Sequence, residues 1–485
     1  MTRISTDDEA SSAFSLEFGS LEQLDVQDPL STRAAPTPGA DRTLGDRPRA
    51  NRGSKPPLIP GTASSAWSYL HFRRIFIGNF ASGIGTWMQN VVVGPYAFAL
   101  SKTVSNPKGS ASFVGTIAFA QFGPVLALAV LGGVLANRFP RRVIMLSAQA
   151  LQFCCAIGLA IMAVTHPSKL ALFLGVLGGG IAQALSGPSF QAVIPELVPR
   201  EDLPGVIALN STQLNGARVI GPILMVLLAP IGVRADTAHG MAAAFVINAL
   251  TFGFSAFAIA TIPIAPVPKR TSTDAQGWRQ MLVGVRVAKR NAVAGRMLLM
   301  MFGMSAICLP YIGQFATVAE RAFHIKSRSG TYTLMYATWA LGAMLGGLSM
   351  ATVLARVDKR KMIRWMFLGF ALALGAFSQV RSAPFAFPCA FVLGFFYFGT
   401  TTAMLTVLQQ HVSSRDRAPI MALWFMSFGG TIPIGAKLGG FGMDHWSTRG
   451  TLMVGAIFAL ILAASADFVK RSARVKPVES DRLDR

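Results

Sequence analysis

The chain reads as an all-α polytopic membrane protein, with twelve transmembrane helices arranged as two six-helix bundles. Three observations carry that reading. Of its 485 residues 52% are hydrophobic and 14% charged, and the mean hydropathy is +0.48. The apolar residues gather in repeated uncharged runs of about 18 residues or more, the length a helix needs to cross a bilayer. The 44 Lys and Arg are shared very unevenly between the loops that join those runs. A membrane β-barrel would need short alternating strands, and these runs are too long and too uniformly apolar.

Residues 1–66 come first and contain no apolar stretch of signal-peptide type. They are rich in Ser, Pro, Asp and Arg, the composition of a disordered cytoplasmic tail. Residues 1–28 hold seven acids and one Arg; residues 29–66 hold six Lys and Arg and two acids, and this basic half lies against the membrane, where it would meet anionic lipid. Six spans follow in a first bundle (67–262), at 75–100, 112–136, 143–164, 170–190, 206–229 and 241–262. A linker (263–296) opens with Pro263, Pro266 and Pro268. It continues with Trp278, Leu282 and Val285 on one helical face and Arg279, Arg286 and Arg290 on another, the pattern of an amphipathic helix on the inner leaflet. The second bundle (297–470) holds spans at 297–319, 331–355, 362–380, 385–408, 420–442 and 451–469. Residues 471–485 form a second cytoplasmic tail.

With both termini inside, only 9 of the 44 Lys and Arg fall in outer loops. The reverse orientation would place most of them outside, against the positive-inside rule. The net charge of +22 therefore sets topology and calls for the lipid bilayer, not nucleic acid, as partner. Cys154, Cys155, Cys308 and Cys389 all sit in apolar runs and read as small buried hydrophobes. No metal or cofactor is expected. The loops offer no paired carboxylates and no His cluster, so an enzyme is disfavoured.

The two halves repeat faintly. A shift of 214 residues lays Gly132-Gly133 on Gly346-Gly347, Asp202 on Asp416, Ala208-Leu209 on Ala422-Leu423, Gly216 on Gly430 and Gly221 on Gly435. Duplicated halves of this kind hold substrate at their interface.

The tight basic turn Gly133-Val-Leu-Ala-Asn-Arg-Phe-Pro-Arg-Arg142 joins spans 2 and 3. It resembles the signature loop of the major facilitator superfamily, Gly-x-Leu-Ala-Asp-Arg-x-Gly-Arg-Arg, with Asn137 in place of the acid and Pro140 in place of the second glycine. Gly85-Thr-Trp-Met-Gln89, Pro195-Glu-Leu-Val-Pro-Arg-Glu-Asp-Leu-Pro204 and Ala208-Leu-Asn-Ser211 with Ala217-Arg-Val-Ile-Gly-Pro222 extend the likeness. Together they are similar to the enterobactin-exporter-like branch, the transmembrane secretion effectors, over about residues 67–470. The resemblance implies the major facilitator fold, alternating access and outward movement of a small molecule, driven by protons in many relatives. Macrolide and nickel efflux proteins belong to the same branch. A drug or metal-ion pump, an importer and a transporter-like sensor are the alternatives. The resemblance also implies a cytoplasmic latch at Gly133, Asn137, Arg138, Arg141 and Arg142. With the acid lost at Asn137, Asp416 at the start of span 11 is the candidate partner of Arg138 or Arg141.

Charged groups deep in a span are costly and usually functional. Arg218 lies near the middle of span 5, on one stripe with Ser211, Asn215 and Pro222. Lys437 lies toward the outer third of span 11, where it can snorkel. Asn79, Gln89 and Asn90 in span 1, Gln183 in span 4, Gln314 in span 7 and Tyr336 with Trp339 in span 8 complete a candidate amphiphile pocket around Arg218. Amides also glue helices together, so each has a structural alternative. No acid and no His lies near the middle of a span, so no residue stands out as a proton relay. An Arg without a carboxylate favours a polar or anionic amphipathic substrate over a cation.

Overall fold

The computed structural model describes residues 61–264, 278–354, 356–413 and 416–466. The reading of residues 1–60 and 467–485 as tails, and the proline-rich start of the linker (265–277), lie outside these residues.

Each of the twelve apolar runs is a helix. The first six are α1 (Leu70–Ser101), α2 (Ala111–Arg138), α3 (Arg141–Val164), α4 (Lys169–Val193), α5 (Leu203–Leu227) and α6 (Ala238–Ala260). In the second half, α7 is broken. Ala292–Gly303 runs into a π-helical turn at Met304–Cys308, then Pro310–Gly313 and Phe315–Phe323. Next come α8 (Gly330–Ala351), α9 (Lys359–Gln379) and α10 (Ala383–Gln410). In α11, Arg417–Phe425 and Ile432–His445 flank a second π-helical turn, Met426–Gly430, and α12 is Thr448–Ser465. Side-chain caps fix several starts: Ser110, Ser168, Thr237, Ser329 and Ser447 each accept a backbone N–H of the first turn.

Eight of the described helices are long and apolar enough to cross a membrane unaided. α1 and α5 fall short because they carry amides and Arg218, which need cover from neighbouring helices. The amphipathic stretch Trp278–Arg290 is helical and turns by 114° into α7. Asn291 makes the corner: its side chain caps Val293 and Ala294 and donates to the carbonyl of His411.

Within the first half α1 packs on α5 and α6, α2 on α4, and α3 on α4 and α6. Within the second, α8 packs on α10, and α9 on α10 and α12. The halves meet mainly through α2 against α11 and α5 against α8. The 214-residue shift carries α2 to α8 and α5 to α11, so it exchanges these two contacts, as a twofold relation requires. Two glycine pairs obey it closely. A Cβ on Gly132 or Gly180 would strike backbone across the α2–α4 seam, and one on Gly346 or Gly394 would do so across α8–α10. Small residues let membrane helices approach this closely.

The halves differ in their interiors. The second has one continuous apolar core built on Met301, Phe367, Phe370, Phe377 and Trp424. The first has three separate apolar clusters, with a polar cavity among its helices.

Candidate transport site

The cavity, about 370 Å³, is lined by all six helices of the first half. Asn79, Gln89 and Asn90 line it from α1, and Gln183 from α4, as the sequence suggested. Sequence reasoning missed Gln121, Gln149, Gln152, Gln191, Asn210 and Gln213. Their signal was present: Gln149 with Gln152, and Asn210 with Gln213, are i,i+3 pairs on one helix face. Some of these amides bond to one another. Gln121 donates to Asn90, Gln152 donates to Gln183 over 3.2 Å, and Asn248 donates to Gln89 over 2.7 Å.

Trp87 forms part of the cavity wall, and Arg218 lies behind it. The guanidinium carbon is 4.7 Å from the Trp87 ring and 4.3 Å from the Phe398 ring on α10. One ring belongs to each half, so the cation bridges the interface. Tyr336 and Tyr397 stand close enough to interact with its charge. Nε and Nη1 of Arg218 are buried and have no hydrogen-bond acceptor among the described residues.

The remaining candidates are placed differently. Tyr336 and Trp339 are buried in an aromatic cluster with Phe315 and Tyr397 and do not line the cavity. Asn215 is turned onto its own helix and donates to the carbonyl of Ser211. Gln314 does not line the cavity. It is fully buried, donates to the carbonyls of Ala111 and Ala436, and accepts from Thr317. Its amide is consumed in tying α7 to α2 and α11, the gluing role that amides play in apolar surroundings.

The interhalf polar contacts gather at one end of the bundle. Asp444, near the end of α11, accepts from the backbone N–H groups of Ala111 (2.9 Å) and Ser112 (2.8 Å) and from the Ser110 hydroxyl (3.0 Å). A carboxylate thus caps the N-terminus of a helix in the other half, where the dipole favours negative charge. Arg321 bonds the same carboxylate at 2.9 Å and the carbonyls of Gly109 and Met443. Lys102 pairs with Glu320, and Lys437 reaches the Thr116 hydroxyl. Lys437 therefore fastens the halves together. Arg328 donates to the carbonyls of Ala235 and Asp236. The fork of hydrogen bonds from Arg234 holds the Asp236 carboxyl below its ordinary pKa.

At the opposite end, Arg141 pairs with Glu196 at 2.5 Å and Arg142 bonds the carbonyls of Ala260 and Ile262, all within the first half. Arg138 is exposed, and Asp416 accepts from Ser413. The pairing of Asp416 with Arg138 or Arg141 that the sequence suggested is thus not formed in this conformation. The side chain of Asn137 lies outside the described residues; Gly133 sits in the last turns of α2. The cavity extends toward this end, through Asn79, Met145 and Gln191.

Twelve helices in two related halves, fastened at one end around an internal polar cavity, define a multi-pass membrane transporter of the major facilitator type. The family model for transmembrane secretion effectors matches residues 62–484, and the chain belongs to that family. An enterobactin exporter of Escherichia coli O127:H6 is 25% identical over 84% of this chain and 96% of its own length. One of Shigella boydii serotype 18 is likewise 25% identical over the same shares. Among solved structures, a nucleoside transporter superposes with a TM-score of 0.64 at 13% identity, covering 82% of this chain and 98% of its own. An auto-inhibited peptide transporter does so with a TM-score of 0.63 at 13% identity, covering 85% and 98%. At these identities the structural likeness concerns the fold. The family is one of transporters, not of enzymes.

Proposed function

We propose that this chain exports a small polar or anionic amphipathic molecule, of siderophore or related metabolite type, across the inner (plasma) membrane by alternating access. Both termini lie in the cytoplasm. The Asp444 end then faces outward and is closed, and the Arg141 end faces the cytoplasm with its latch open, so the site loads from inside. Rocking about the α2–α11 and α5–α8 contacts would break the outer fastening. The inner latch would form in the outward-open state, with Asp416 meeting Arg138.

The observation that carries the substrate reading is Arg218. Its guanidinium is held between an aromatic ring from each half, and two of its nitrogens have no acceptor among the described residues. A buried cation of this kind gains most from an anionic or strongly accepting group. The names of the enterobactin exporters among the relatives support the siderophore class.

The test compares secreted metabolites of a deletion strain with those of strains complemented by wild type, Arg218→Ala and Arg218→Lys. Export lost in Arg218→Ala and partly kept in Arg218→Lys supports the reading; unchanged export of the cognate compound in Arg218→Ala refutes it. Protons are the coupling ion the family likeness suggests, checked by collapse of export when an uncoupler is added with ATP maintained.

A further inference from the structure

We propose that the amide cavity of the first half is a separate, uncharged subsite, which takes a hydroxyl- or amide-rich part of the substrate while Arg218 takes the anionic part. This rests on the transport reading above and deepens it.

Among the described residues ten carboxamides line the cavity, and no Lys, Arg, Asp, Glu or His does. Such a wall discriminates by hydrogen bonding, not by charge. Each carboxamide both donates and accepts, so it matches groups that do the same: hydroxyls and amides. The aromatic rings of Phe122, Phe190 and Phe252 supply apolar wall between them.

The amides are not all consumed in holding helices together. Those of Asn79, Gln191, Asn210 and Gln213 make no side-chain hydrogen bond among the described residues, and all four line the cavity. Helix-gluing amides look different: Gln314 is fully buried and its amide is bonded to two carbonyls.

The internal repeat supplies an independent comparison. The 214-residue shift carries Gln121 to Met335, Gln149 to Ile363, Gln152 to Met366 and Asn210 to Trp424. All four counterparts are buried core of the second half. The fold thus packs well at these positions with apolar side chains, and the first half gives up that packing for a polar cavity. Of the four unbonded amides Gln213 is buried, Asn79 and Asn210 are half-buried and Gln191 is exposed; an amide withdrawn from water without a protein partner is costly. Their gathering on five helices around one space points to a ligand that satisfies them.

The experiment uses the full chain in lipid nanodiscs and two simple aromatic probes at mildly acidic pH, followed by ligand-observed NMR titration. Salicylamide is neutral and carries a hydroxyl and an amide; benzoate is an anion. Two variants are compared with wild type, Asn79→Leu/Gln213→Leu and Arg218→Ala, each checked for an unchanged melting transition. The double variant is expected to weaken salicylamide about tenfold, the loss for one or two unmade hydrogen bonds, and to change benzoate by less than about twofold. Arg218→Ala is expected to do the reverse. Salicylamide that fails to bind wild type, or binds the double variant equally well, overturns the subsite. Parallel loss of both probes in both variants overturns its separateness. Benzoate binding that ignores Arg218→Ala would instead count against the anion-binding role of Arg218 and leave the amide subsite standing.

Discussion

Replacing Asp444 with Ala should open the fastened end of the transporter. Its carboxylate accepts four hydrogen bonds: two from backbone N–H groups at the start of α2, one from Ser110 and one from Arg321. Hydrogen bonds to a charged group contribute about 1.5–3 kcal/mol each. The sum overstates the effect, because the carboxylate is partly solvated, with 17% of its side chain exposed. Arg321 also keeps its carbonyl partners, and water replaces part of what α2 loses. A net loss of about 2–4 kcal/mol is the fair figure, which shifts the closed-to-open ratio by roughly 30- to 1000-fold. The Lys102–Glu320 pair is more exposed, at 38% and 24%, and its loss should contribute at most about 1 kcal/mol. The assay is labelling of Gln121→Cys in the cavity wall, with the four native cysteines changed to Ser. A membrane-impermeant thiol reagent is applied at the face that Asp444 occupies. Labelling should be slow in the parent, much faster with Asp444→Ala and only slightly faster with Lys102→Ala. Equal rates in parent and Asp444→Ala, with both proteins folded, would refute the argument. Acceleration from both faces alike would mean loosened packing and not an opened end.

Other expectations follow from the same contacts. Lys437→Met should accelerate the same labelling by about one order of magnitude or less, since a single partly exposed cation is removed. Gly346→Val forces a Cβ into the carbonyl of Phe395 and should destabilise the fold by about 1–3 kcal/mol, read as a lower melting temperature. Gly158→Ala meets nothing within 4 Å and should leave the melting temperature unchanged or slightly raised. Asp416→Arg should slow transport if the inner latch forms in the outward-open state, and adding Arg138→Asp should partly restore it. No restoration at normal membrane levels would count against that latch.

The amphipathic helix shows how local pattern and tertiary contact divide the work. Trp278, Leu282 and Val285 foretold a helix, and Trp278–Arg290 is one. Its angle of 114° to α7 follows from Asn291, whose cap and bond to the His411 carbonyl no periodicity announces. Gln314 and Gln183 make the same point in the interior. Both are amides in apolar helices, yet one is walled in by backbone carbonyls and the other faces the cavity. Helical spacing gives the face on which an amide lies; the neighbour that face meets is set by packing.

The sequence alone determined the membrane setting, the twelve helices and the presence of a charged residue, Arg218, deep in the fifth of them. Hydropathy over about twenty residues and the cost of a charge in hydrocarbon are local properties, legible without a partner. Tertiary structure alone decided that six further amides converge on one cavity and that Arg218 lies between Trp87 and Phe398. It also decided that Asp444 caps a helix whose start lies 333 residues earlier in the chain. Those outcomes depend on which helices become neighbours, and helix adjacency is fixed by close packing of small residues across seams that sequence spacing does not name.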